Sequence, residues 1–244
     1  IPFNRARSDK TRSTDLSFTE HDHDTWRLLY RAQDALRSEQ LIPEFASGLK
    51  ALGILGDRIP DLETVNARLK SLTGWKGVSV AGFEGPEHFY KMLANREFPV
   101  GHFIRDQKDL SYTPEPDVFH DLYGHLPFYV IPEYGKFCED FGTRGLKYLS
   151  SPEITEAFQR LFWFTAEFGL VKTPKGLRIF GAGIASSNKE CAYALSGRPR
   201  LLPFDVETIR NTPFRIDLIQ ETLFVLDSAE QLYGCLDAFE APYR

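Results

Sequence analysis

Apolar residues recur at helical spacing through most of this chain, and proline and glycine punctuate them. Trp26, Leu29, Ala32 and Leu36 fall on one face of a helix expected over Asp24–Ser38. Pro43, Pro60 and Pro86 suit the first turn of further helices, and Gly53 and Gly74 stand where the first two should stop. Ser151-Pro152 looks like a cap followed by proline at the first helical position, opening a helix to about Phe168. A last helix is expected from Ala229 to Phe239. Short apolar runs at Val78–Ala81, Gly101–Ile104, Leu177–Phe180 and Leu223–Leu226 read as small strands. The pattern predicts a mainly α fold with a few short β-strands: one helical domain over 19–244, preceded by a loose polar arm over 1–18.

Chemistry concentrates in Pro114-Glu115-Pro116-Asp117-Val118-Phe119-His120-Asp121-Leu122-Tyr123-Gly124-His125, which holds two of the six histidines. Imidazole is the commonest side-chain metal ligand. On a straight α-helix, residues i and i+5 are rotated by roughly 140° and do not share a face. His120 and His125 therefore meet at one ion only if a short helix, expected from about Pro116 to Tyr123, ends or distorts between them. Gly124 is placed to allow that. The spacing also differs from the His-Glu-x-x-His of zinc proteases. A pair of hydrogen-bonded core histidines is the plainer alternative.

Glu167 is the candidate third ligand. At helical spacing it keeps company with Trp163, Phe164, Leu170 and Val171, and a carboxylate among such neighbours either neutralises or finds a cation. A core glutamate paired with an arginine is the alternative. Two histidines and one carboxylate form the facial triad of non-haem Fe(II) oxygenases. His21-Asp22-His23-Asp24 is read instead as a polar helix entry, its acids complementing the helix dipole. His88 and His102 read as lone structural residues.

Tyr112-Thr113-Pro114-Glu115-Pro116-Asp117, His120 to His125, Trp163 to Leu170, Gly181 to Ser187 and Leu201-Leu202-Pro203 together resemble the catalytic domain of the pterin-dependent aromatic amino acid hydroxylases. The likeness covers roughly Thr25 to Tyr233 and is closest to the short bacterial members that act on phenylalanine. It implies a mononuclear iron pocket enclosed by helices, with His120, His125 and Glu167 as Fe(II) ligands, a tetrahydropterin cofactor and O2 as co-substrate. It also implies Arg105 on the substrate carboxylate, Asp117 orienting that arginine, Thr113 and Ser186 near the head group, and Trp163 lining the pocket. Val80-Ala81-Gly82-Phe83 resembles the pterin-binding segment, with Phe89 as the stacking ring. Two departures stand out. Asp121 replaces the more usual glutamate, which shortens its reach to the pterin, and Phe162 replaces a frequent tyrosine. Tryptophan or tyrosine as substrate, and a non-catalytic metal-binding protein on the same scaffold, are the competing readings.

Composition narrows the setting. With 244 residues, 42% hydrophobic and 26% charged, the chain has ordinary globular make-up. A net charge of −5 gives no reason to expect nucleic acid or an anionic membrane as partner. Cys138, Cys191 and Cys235 are scattered and odd in number, which argues for a reducing, cytoplasmic compartment rather than a disulfide framework. No apolar run approaches the ~20 residues of a membrane span. The expected partner is a small aromatic amino acid, and the expected state a monomer or weak dimer.

Overall fold

Some helices open on a side-chain cap and others on a proline in the first turn; Ser151, read as a cap, makes no capping bond and leaves its helix to start on Pro152. The computed structural model describes residues 17–82, 85–110 and 115–244; most of the expected arm, and Thr113, lie outside them. Helix α1 (Glu20–Ala32) begins with a capping box, in which Thr19 Oγ1 accepts from Asp22 N–H and the Asp22 carboxylate accepts from Thr19 N–H. The polar run at His21–Asp24 is thus a helix entry. The expected first helix is broken at Gln33, and α2 (Asp34–Gln40) follows. The Ala32 carbonyl accepts from the Asn188 side chain at 2.7 Å, which closes α1 there. Helix α3 (Pro43–Leu52) starts on its proline and ends at Gly53, whose φ of 68° is the left-handed conformation that glycine adopts without strain. Helix α4 (Leu62–Thr73) starts two residues after Pro60, because Asp61 is its cap and accepts from Thr64 N–H at 2.8 Å.

Strand β1 (Lys76–Val80) leads through α5 (Pro86–Ala94) to β2 (Glu97–Gly101), and the two strands pair in parallel. Strand β2 lies earlier than the expected Gly101–Ile104. Pro99 hides it from a periodicity reading and is tolerated because β2 has a partner on one side only. The centre of the chain is α6 (Pro132–Gly145) and α7 (Pro152–Phe162). Strands β3 (Leu170–Thr173) and β4 (Gly176–Ile179) follow, then helices α8 (Ala182–Ala185) and α9 (Asn188–Ala194). Strand β5 (Arg200–Pro203), helix α10 (Val206–Asn211) and strand β6 (Thr222–Leu226) complete a four-stranded sheet in the order β4-β3-β6-β5. Leu170 and Val171, expected on a helix with Glu167, belong instead to β3. The expected last helix is two, α11 (Ala229–Tyr233) and α12 (Leu236–Glu240), separated at Gly234.

An aromatic core ties these layers together. Phe89 meets Phe162 edge-on at 5.3 Å, and Phe162 lies 5.4 Å from Phe141. Such pairs add ~0.5–1.5 kcal/mol each beyond the area they bury. The approach of α5 to α6 is set by a glycine: a methyl group at Gly142 would lie 2.6 Å from the Tyr90 carbonyl oxygen and 2.7 Å from the Ala94 nitrogen. Both atoms are backbone and cannot swing aside. Gly142→Ala should therefore cost roughly 1–3 kcal/mol, lowering Tm by about 2–12 °C in a calorimetric scan. An unchanged Tm would mean that α5 and α6 do not pack this closely.

Candidate metal centre

His120 and His125 sit on a π-helix, Phe119–His125. Its i→i+5 bonds, such as Leu126 N–H to the Asp121 carbonyl, widen the turn by a residue, so side chains five apart come round to one side. The expected distortion is present, but it is a wider winding, two to three residues later than the expected helix, and not a break at Gly124. Pro127 has no N–H to offer the Tyr123 carbonyl, so α-type bonding cannot continue through this turn. Gly124 is required for another reason. A Cβ there would meet the Ala182 carbonyl oxygen at 2.9 Å and Ser186 Cβ at 3.1 Å.

Glu167 ends a second π-helix, Trp163–Glu167, which takes over directly from α7. Phe168 N–H bonds to the Trp163 carbonyl at 2.9 Å, again i→i+5. The result is a tight cluster. His120 Nε2 and His125 Nε2 are 3.0 Å apart, and His125 Nε2 is 3.1 Å from Glu167 Oε1. Ligand atoms of all three lie within 4.8 Å of one another, and the described residues hold no other such group.

The donor set fits a divalent metal. Ser186 Oγ lies 2.9 Å from His120 Nδ1 and itself donates towards the Gly183 carbonyl, so it accepts the Nδ1 proton. That leaves His120 Nε2 as a lone pair facing a second imidazole. Burial lowers His120 to about 3, so the ring stays neutral. Burial pushes Glu167 up, but attraction to His125 and then His120 prevails and holds it at about 2. An ionised carboxylate, 2% exposed, beside two facing nitrogens is the arrangement a cation completes. The His125 ring packs against Phe98 at 4.4 Å with the planes tilted by 32°, a neighbour that periodicity shows only as another core residue.

Arg105 and Asp117 form a buried bidentate pair. Arg105 Nε donates to Asp117 Oδ2 at 2.8 Å and Nη2 to Oδ1 at 2.9 Å. Asp117 Oδ1 also accepts from His120 N–H at 3.0 Å, which ties the arginine to the start of the first π-helix. Burial raises the Asp117 carboxyl, and the Arg105 charge more than offsets it, leaving it low. Gly82, Phe89, Asp121, His120 and His125 line one pocket, so the residues expected to hold the pterin border the metal cluster. One carboxylate oxygen of Asp121 is engaged in the pocket wall: its Oδ2 accepts from Gly101 N–H at 2.8 Å. Phe89 is 1% exposed, and Phe162 packs edge-on beside it and stacks on the His125 ring at 6.4 Å.

Trp163 is fixed by an element that the sequence motifs do not include. Its Nε1–H donates to Gln220 Oε1 at 3.0 Å, and its ring stacks on Phe214 at 4.6 Å. Ser186, expected at the substrate head group, stands beside the cluster with its hydroxyl 2.9 Å from His120 Nδ1. His23 is buried away from the cluster, and His102 Nδ1 lies 2.8 Å from the Val80 carbonyl.

Residues 7–242 match the family model described as biopterin-dependent aromatic amino acid hydroxylase. The chain is 43% identical to phenylalanine-4-hydroxylase of Chromobacterium violaceum over 196 residues, 80% of this chain and 66% of that protein, just under two thirds. The crystal structure of the C. violaceum enzyme with bound iron(III) and oxidised 7,8-dihydrobiopterin superposes with a TM-score of 0.89 at 41% identity, covering 98% of this chain and 86% of that one. The iron- and phenylalanine-bound structure of the same enzyme gives 0.88 at 40% identity, over 97% and 87%.

In calorimetric titrations of metal-free protein with Fe(II) or Co(II), His125→Ala should abolish stoichiometric binding. Ser186→Ala should weaken it roughly 10- to 100-fold with the circular dichroism unchanged, because the hydroxyl sets the His120 tautomer. Equal affinity in Ser186→Ala and wild type would show that the hydroxyl does not set it.

Proposed function

The chain belongs to the biopterin-dependent aromatic amino acid hydroxylase family, and on that footing we propose that it hydroxylates the ring of L-phenylalanine to give L-tyrosine. The observation that carries this reading is the His120, His125 and Glu167 cluster bordering the pocket of Gly82, Phe89 and Asp121. The phenylalanine bound by the C. violaceum enzyme supports the substrate. Ferrous iron and a tetrahydropterin, when bound, activate O2 so that one oxygen atom enters the ring.

The protein's own contribution is placement and shelter. His120, His125 and Glu167 would hold the metal, and so few protein ligands would leave it positions for exchangeable ones. Phe89 offers the pterin an aromatic wall, and Gly82 lets the cofactor approach the backbone. Arg105, braced by Asp117, would present its remaining N–H groups to the substrate carboxylate, with Trp163 closing the ring site. Burial of the cluster keeps bulk water from the reacting atoms. Three free, buried cysteines support a reducing, cytoplasmic setting.

Product analysis with phenylalanine, tryptophan and tyrosine, each with Fe(II) and a tetrahydropterin, tests the reading. Tyrosine from phenylalanine is the expected product. Preferential turnover of another amino acid, or no oxygen uptake with any, would refute the proposal.

Two variants test the binding assignments. Arg105→Ala would leave Asp117 a buried unpaired carboxylate, at ~3–5 kcal/mol in stability, so Arg105→Lys is the cleaner change. Loss of one charge-assisted hydrogen bond, ~1.5–3 kcal/mol, should raise the amino acid KM roughly ten- to hundredfold with metal content unaltered. An unchanged KM removes Arg105 from the substrate site. Phe89→Ala should raise the pterin KM several-fold and disturb amino acid affinity less, since a ring contact contributes ~0.5–1.5 kcal/mol. Unaltered pterin kinetics would assign the platform to another residue.

A further inference from the structure

A second cavity, of about 280 Å3, lies behind the catalytic pocket. That is nearly twice the roughly 150 Å3 of an apolar cavity that holds benzene. Its floor is apolar, formed by Ile59, Leu62, Val100, Val118 and Leu122, and its polar side is His23 and Arg58, with the Asp61 carboxylate beside them. His23 is 6% exposed, and its hydrogen bonds do not balance. Ile59 N–H points at Nδ1 at 3.2 Å, and Arg58 Nη2 lies 2.9 Å from Nε2. A neutral imidazole has one lone pair and one N–H. Here both ring nitrogens face donors, so one N–H at this end has no acceptor among the described residues. Burial and then the Arg58 charge also hold the ring below its usual pKa, so protonation does not relieve the mismatch.

Three acids lie nearby and none supplies the missing acceptor: the Asp22 carboxylate is engaged with Thr19 in the capping box of α1. Glu20, exposed on α1, comes no nearer to Arg58 than 3.7 Å. Asp61 Oδ1 accepts from Thr64 N–H and Thr64 Oγ1 as the cap of α4. One oxygen anion between Arg58 and His23 would accept from both, and the apolar floor would take a hydrocarbon tail.

The cavity shares its wall with the catalytic pocket. Val100 faces the cavity and the next residue, Gly101, faces the pocket; Leu122 and its neighbour Asp121 divide in the same way. The Gly101 N–H bond to Asp121 locks these two walls together.

We infer that this cavity is an effector site for a small carboxylate with an apolar tail, acting on the catalytic pocket through their shared wall. The probe is sodium 4-methylpentanoate, with neutral 4-methylpentan-1-ol as control, and the first readout is thermal denaturation of the full chain. At ~10 mM, tenfold above a millimolar Kd, the carboxylate should raise Tm by about 3–6 °C. The rise should persist in Arg105→Lys, vanish in Arg58→Met, and not occur with the alcohol. Arg58 is largely exposed, so its replacement leaves the fold intact. The second readout is the pterin KM, expected to shift at least twofold with the carboxylate in wild type and not in Arg58→Met. No Tm rise, a rise indifferent to Arg58, or one lost in Arg105→Lys would overturn the site, and a rise without a KM shift would overturn its effector role. The thermal readout needs no turnover, so its failure is separable from failure of the hydroxylase reading.

Discussion

The i→i+5 bonds from Leu126 to Asp121 and from Phe168 to Trp163 are the constraint on which the site depends. α-Helical winding in the first segment would turn His120 and His125 roughly 140° apart. Both wide turns lie inside the core, where a local loss of regular helix is offset by packing on every side. Phe98 backs His125, Ser186 backs His120, and Gly124 lets the residues of α8 come close enough to do so. Such π-turns recur at functional sites because they aim side chains that a regular helix cannot bring together.

Charge placement follows from the same geometry. Asp117 is fully buried, yet it is held ionised by the Arg105 fork and also accepts from His120 N–H. One carboxylate therefore joins the proposed substrate arginine to the segment that carries both histidines. A buried pair of this kind contributes little net stability, and its use here is positional. Gln220 performs a similar service for Trp163, from the segment ahead of β6.

The sequence was informative where residue type alone dictates chemistry. Two histidines and a glutamate in apolar company pointed to one cluster, and the i,i+5 spacing required a distorted helix. Proline and glycine punctuation found α3, α5 and the stops of α3 and α4. Other features depend on contacts that no local pattern encodes. The break at Gln33 is made by Asn188, 156 positions away from the Ala32 carbonyl it satisfies. Strand β3 was hidden because Leu170 and Val171 fit a helical face as readily as a strand. Pro99 masked β2. The attachment of Ser186 to His120 and of Asp121 to Gly101 could not be read from spacing, since each joins elements brought together only by folding.

The central claim is that both π-turns exist to place three ligand side chains around one metal ion. An anomalous difference map at the iron edge, from crystals of the iron-loaded protein, tests it most directly. One peak should appear within bonding distance of His120 Nε2, His125 Nε2 and a Glu167 carboxylate oxygen, roughly 2.0–2.3 Å away, with both turns still wound i→i+5. A peak lacking any one of these three ligands, or a metal site formed after either segment has rewound to a regular α-helix, would contradict the account.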